Sequence, residues 1–233
     1  LIWGMWQLNP HPAVFAEQLC QGRVAYYFCG YWPIEPDPHT AFWQKMPDHK
    51  QWVRLLKQPV SRLASAMLAR QRRKSPEFRH VACVSQAVLN ILRRGGLDLP
   101  TARVIYGGIN LQKFYYPLAE KSHQMGNGPL HLLYAGSLSP AKGVDTAVQT
   151  VARLARRFDT RAFHLTLVGA GHPQFESCLR QYVREQGIEH YVTFHGWVDK
   201  NSMHQLIQDF DVLLFPSTWQ EPLARMMMEG LAA

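Results

Sequence analysis

Two periods of apolar and polar positions alternate along this chain. The runs "RVAYYF", "HVACVS", "ARVIYGG", "LHLLYAG", "FHLTLVG", "YVTFHG" and "DVLLFP" are short, rich in β-branched and aromatic residues, and several end on Gly or Pro. They predict strands. Between them, "SQAVLNILRRGG", "VDTAVQTVARLARRF", "PQFESCLRQYVREQG" and "NSMHQLIQD" repeat apolar residues every three or four positions. That is the period of an amphipathic helix. Strand–helix alternation predicts parallel sheets covered by helices, an α/β fold.

One segment breaks the rhythm. "YYPLAEKSHQMGNGPL", residues 115–130, has prolines, glycines and little periodicity, and reads as a linker. It divides the chain into a first lobe at 1–115, a linker at 116–129 and a second lobe at 130–233. The first strand of the first lobe is missing or obscure in the pattern. Both ends look cut, because the chain stops at "EGLAA" inside a helical period. A piece of a longer protein is therefore expected, with both lobes incomplete.

Charge follows the same division. Residues 1–115 carry 15 Lys/Arg against 6 Asp/Glu, and residues 116–233 carry 10 against 11. Much of the excess lies in "KQPVSRLASAMLARQRRKSPEFRH". A solvated helix face explains such a run. Peripheral contact with anionic lipid head groups fits it too. Nucleic acid does not, because stacking aromatics are not interleaved with the basic residues. The four cysteines, Cys20, Cys29, Cys83 and Cys178, form no C-x-x-C pair. They give neither a disulfide framework nor a zinc site and suit a reducing compartment, so a cytoplasmic location is expected. No apolar run reaches membrane-spanning length.

In a parallel α/β sheet, ligands bind outside the carboxyl ends of the strands. At the first such end of the second lobe stands "YAGSLSPAKGVD". Gly136 and Ser137 turn the chain there, and Lys142 enters the next helix. Backbone N–H groups at a helix start, with a lysine beside them, suit a diphosphate. A β-turn with a surface lysine is the plainer reading, since the P-loop spacing is absent. The second strand end, "LVGAGHP", places Gly169 and Gly171 for a tight turn or a close backbone approach. The third ends "FHGWV".

The fourth ends "FPSTWQEP", where Pro222 suits the first turn of a helix. Glu221 and Glu229 follow with seven residues between them. Eight residues at roughly 100° each turn a helix about 80° past two full turns. With Glu221 just outside the first turn, both carboxylates face one cleft. Carboxylates grip vicinal hydroxyls through charge-assisted hydrogen bonds. "DFD", Asp209 to Asp211, has the form of a metal-binding pair but leads straight into a strand, so Asp211 is expected at the strand's far end. "EPDPH", Glu35 to His39, reads as a loop. No metal site is expected.

These elements resemble glycosyltransferase family 4, retaining nucleotide-sugar enzymes of the GT-B fold with two Rossmann-like lobes. "YAGSLSPAKGVD", "LTLVGAG", "VTFHGWV", "DVLLFPSTWQEP" and the Glu–seven–Glu motif carry the resemblance, in family order. "VACVSQAVLNILRRGG" followed by "ARVIYGGINLQKF" is similar to the close of that family's first domain. The resemblance implies metal-independent transfer from a UDP- or GDP-sugar to a glycan, lipid-linked or small-molecule acceptor, with no cofactor beyond the donor. It implies Glu229 on the donor ribose and Glu221 as the catalytic residue at the sugar. Lys142, Gly136 and Ser137 would hold the diphosphate. The N–H groups of Leu223, Ala224 and Arg225 would add to that grip. Gly169, Gly171 and Val198 would line the donor pocket.

Three positions depart from the family. Ser137 stands where Arg is usual, and Ala224 where Gly is usual; Ala is tolerable there only with negative φ. Cys29 and Gly30 stand where His-Asp often follows the strand "AYYF". Two other readings therefore stay open: a nucleotide-sugar-binding or scaffolding module without catalysis, and an enzyme that isomerises or hydrolyses a nucleotide-sugar. A piece of this length is expected to be inactive alone.

Overall fold

The computed structural model describes residues 1–5, 10–35, 59–63, 66, 75–114, 128–158 and 162–233. The expected linker falls mostly outside these residues, as do Pro36–His39 of the "EPDPH" loop and much of the basic segment 57–80. The chain forms two units, Leu1–Gly107 and Gly108–Ala233.

The first unit contains β1 (Ile2–Trp3), α1 (His11–Leu19), β2 (Ala25–Phe28), β3 (His80–Cys83), α2 (Gln86–Arg94) and β4 (Arg103–Val104). The strands run in the order β1-β2-β3-β4, all parallel. The first strand is therefore present, two residues long like β4 and β8, but no polar residue or turn precedes "LIW" to mark it off as a run. On β2 the alternation puts Tyr26 and Phe28 inside. Their rings meet Phe78 edge-on, with centroids 5.0 and 5.3 Å apart, a favoured aromatic geometry. Helix α2 begins at Ser85, whose hydroxyl accepts the Val88 N–H at 3.2 Å. Ser85→Ala strands that buried donor and should cost about 1 kcal/mol in a urea titration.

The second unit holds α3 (Leu111–Phe114), β5 (Leu130–Ala135), α4 (Val144–Arg157), β6 (Phe163–Val168), α5 (Pro173–Glu185), β7 (Val192–Gly196), α6 (Met203–Leu206), β8 (Val212–Leu213) and α7 (Arg225–Ala232). Helix α4 buries Val144, Ala147, Val148, Val151 and Ala152, one stripe at three- and four-residue spacing. That stripe packs with Leu165 and Leu167 of β6 in the core. Helix α3 brings Phe114 into a second cluster with Leu133, Val168 and Ile207. That burial ties residues 108–114 to the second unit, upstream of the boundary expected from composition. Helix α6 is one turn, continued as a 3-10 turn over Ile207–Asp209.

The strand order is β7-β6-β5-β8, all parallel. The chain runs outward from β5 to β7, then returns to lay β8 on the other side of β5. The reversal makes the carboxyl ends of β5 and β8 a topological switch point, the position where open α/β sheets bind ligands. Asp211 lies at the opposite end: its carboxylate accepts the His131 N–H at 2.7 Å, and its own N–H bonds His131 O at 2.9 Å. Among the described residues, no helix is long and apolar enough to cross a membrane.

Candidate functional site

Backbone bonds interlock the carboxyl ends of β5, β6 and β7. Gly136 N donates to Val168 O at 2.9 Å, Gly169 N to Gly196 O at 2.8 Å, and Leu138 N to Ala170 O at 3.0 Å. The ladder thus continues past the strands. A methyl group on Gly169 would sit 1.9 Å from Gly136 O, and one on Gly171 would sit 2.0 Å from Leu138 O. These two glycines let backbone meet backbone, whatever else approaches them. Val198, two residues past the end of β7, is half-buried against the cluster around Leu133 and Val168.

The loop after β5 presents Gly136 and Ser137 to solvent. Beneath it, the buried Tyr134 phenol donates to Ser137 O at 2.8 Å. Burial, and after it the carboxylates of Asp145 and Glu221, push this phenol well above its usual range. Tyr134 therefore stays a proton donor and fixes the turn.

Lys142 does not enter α4 directly. It closes a 3-10 turn over Pro140–Lys142, and Gly143, at φ +66°, leads into the helix. Any side chain at Gly143 would strike Pro216 O, 2.0 Å from the added carbon. This contact brings the exit of β8 against the loop of β5. Thr218 N and Trp219 N both bond Ala141 O, at 3.1 and 3.0 Å. The two loops are clamped together, and a charged cluster stands on the clamp. The Lys142 ammonium pairs with Glu221 Oε1. Ser217 Oγ donates to the same oxygen at 2.9 Å. The Lys142 Nζ also lies over the Trp219 ring, 5.0 Å from its centroid.

The approach to α7 differs from the helix expected at Pro222. Ala224 has φ −79° and ψ 83°, and Arg225 N bonds Leu223 O at 3.0 Å. That is an inverse γ-turn, and it delays the helix to Arg225. Helical arithmetic therefore does not link Glu221 to Glu229, since Glu221 stands in the loop. Of the three N–H groups expected at the ligand, the one on Arg225 is taken by Leu223 O. The negative φ meets the condition for a side chain at Ala224. Glu229 lies on the buried face of α7, 8% exposed, with Arg225 Nη2 at 3.4 Å. Next to it Gly230 packs so tightly that a methyl would lie 2.4 Å from Leu213 Cδ2.

Residues 129–233 match the family described as Glycosyl transferases group 1. The matched stretch covers most of the second unit. An uncharacterized glycosyltransferase of Methanocaldococcus jannaschii is 26% identical over 138 residues, 56% of this chain and 34% of that protein. Glycogen synthase of Mycobacterium tuberculosis is 28% identical over 153 residues, 66% of this chain and 35% of that one. The chain thus spans about a third of the length of the curated relatives it matches. Among solved structures, Anabaena HepE in complex with UDP superposes with a TM-score of 0.64 at 19% identity, over 95% of this chain and 54% of that one. Sucrose-phosphate synthase from Thermosynechococcus elongatus gives 0.59 at 21% identity, over 94% and 51%. The fold is that of the GT-B glycosyltransferases.

Three residues at this cluster have no signal of their own in the sequence: Ser217, Trp219 and Tyr134. Ser217 and Trp219 lie inside the quoted "PSTWQEP", but nothing in one sequence says that they face Lys142. The structure brings Lys142, Glu221 and Ser217 together. It places Gly136, Ser137, Gly169 and Gly171 at adjoining strand ends, and seats Glu229 separately on α7. Among the described residues, no group of three or more His, Cys, Asp and Glu side chains could hold a metal.

Proposed function

We propose that the chain carries the donor half of a retaining glycosyltransferase. It moves a sugar from a nucleotide-diphosphate donor, a UDP- or GDP-sugar, to a glycan, lipid-linked or small-molecule acceptor. The observation that carries this reading is the switch point: the Lys142 loop and the Glu221 loop meet beyond the carboxyl ends of β5 and β8. That HepE is described in complex with UDP and with UDP-glucose supports such a donor.

In this reading Lys142 and the Gly136–Ser137 turn hold the diphosphate, and Tyr134 keeps the turn in shape. With Ser137 in place of an arginine, Lys142 supplies most of the neutralising charge, and no metal or other cofactor is assigned. Glu229 takes the ribose hydroxyls from its buried seat on α7. Glu221 orders the sugar hydroxyls near the reacting carbon, and the N–H groups of Leu223 and Ala224 add to the grip. The departing phosphate receives the acceptor's proton, so no separate base is required. The basic first lobe serves the acceptor side, including peripheral contact with anionic lipid at the inner membrane face, and four free cysteines suit the cytoplasm.

The test is ligand-dependent stability. UDP, GDP or ADP at a hundred times its dissociation constant should stabilise the chain by about 2.7 kcal/mol, with one base preferred. A folded chain indifferent to all three would sink the donor reading. Proton NMR of the product formed by the full-length protein then reports whether the anomeric configuration is kept.

A second reading, binding without turnover, has one observation in its favour. Cys29 follows β2 where the family often has a histidine, and burial pushes its thiol above the usual range. A neutral thiol gives neither an acid–base group nor a charge. Nucleotide binding by the full-length protein, without transfer to any acceptor, favours this alternative.

A further inference from the structure

The donor reading leaves one contact unexplained. A diphosphate needs the Lys142 ammonium, and a sugar needs the Glu221 carboxylate, yet each holds the other. The pair is not an incidental surface contact. The side chains are 30% and 15% exposed, and their backbones are clamped together through Ala141 O. Each charge also has a second partner that does not depend on the first. Ser217 Oγ reaches Glu221 Oε1 at 2.9 Å. Trp219 lies under the ammonium, where a ring face stabilises a cation.

We propose that Lys142 and Glu221 form a latch that the donor opens, a proposal that rests on the donor reading above. The diphosphate carries more charge than one carboxylate and draws Lys142 off Glu221. The ammonium swings across the Trp219 face and keeps part of its stabilisation. Glu221 keeps the Ser217 hydrogen bond and is released for the sugar hydroxyls. Glu221 therefore reaches the sugar only when a diphosphate is present. Ser217 and Trp219 are positioning residues that hold the two halves while the latch is open.

The latch has an unusual consequence. Breaking the pair opposes diphosphate binding, so removing the Glu221 charge should tighten a nucleoside diphosphate. A static site, in which Lys142 bridges Glu221 and diphosphate together, predicts no change or weaker binding. Calorimetric titration of the full chain with UDP, GDP and ADP separates these. For the nucleotide that binds best, Glu221→Gln should tighten binding about five-fold, the scale of a partly shielded ion pair. Lys142→Met should weaken it at least ten-fold. Adding Glu221→Gln to Lys142→Met should change nothing more, because the latch is already gone. Should Glu221→Gln fail to fold, Glu221→Asp loosens the same contact and should also tighten the nucleotide.

Binding unchanged or weakened in both Glu221 variants, with Lys142→Met still weak, overturns the latch and leaves the donor site standing. Gain of affinity that persists in the Lys142→Met background overturns it too. Wild-type chain that binds none of the three nucleotides removes the donor reading itself.

Discussion

Gly169→Ala is expected to destabilise the second unit by at least about 3 kcal/mol. Two causes act together. At φ +137° the residue lies where side chains are strained. The new methyl would also meet Gly136 O at 1.9 Å, and that oxygen belongs to backbone fixed by the bond from Gly136 N to Val168 O. Nothing flexible can move aside, so either the ladder bond from Gly169 to Gly196 opens or the turn at Gly136 shifts. Gly196→Ala is the control. Its φ is +86°, but nothing lies within 4 Å of the added carbon. Strain alone applies there, on the order of 1–2 kcal/mol. Urea unfolding midpoints at unchanged slope measure the difference. Equal losses at the two positions would show that the close approach does not carry the effect.

The second large effect falls on binding. Glu229→Ala should abolish the nucleotide-dependent gain of about 2.7 kcal/mol while leaving the ligand-free protein as stable as before, or more so. The sign follows from burial. Glu229 is 8% exposed, and its ion pair with Arg225 is long and half in solvent. Such a carboxylate loses hydration for little return. Alanine removes that loss and is the better helix former. Thermal unfolding with and without nucleotide gives both quantities in one experiment. If instead Glu229→Ala unfolds the chain, the carboxylate has a structural role and the ribose assignment falls.

Among the described residues, seven of the eight strands can be read in the sequence because each carries a run of β-branched or aromatic residues ending at a turn. Strand β1 cannot: β4 and β8 are as short but sit in longer apolar runs, "ARVIYGG" and "DVLLFP", whereas "LIW" is cut at once by Gly4. The stripe of α4 is legible because five buried positions repeat at helical spacing. The start of α7 is misread for a local reason: Pro222 has the fixed φ of a first helical residue, but an inverse γ-turn at Ala224 intervenes. That Gly136, Ser137 and Lys142 follow a strand end can be read from the pattern. Their pairing cannot, because Lys142 and Glu221 stand 79 residues apart and meet only through the return of β8 beside β5. Strand order is set by crossover packing, which a linear pattern does not record.

The ladder that runs on past β5, β6 and β7 has a kinetic consequence. Loops that order only around a ligand slow its capture and spend part of the contact energy on losing their own freedom. Here the turn at Gly136 is bonded to β6, and the turn at Gly169 to β7, by the same amide pattern that builds the sheet. Their order is settled when the sheet forms. Any ligand that reaches these turns meets backbone whose shape the sheet has already fixed.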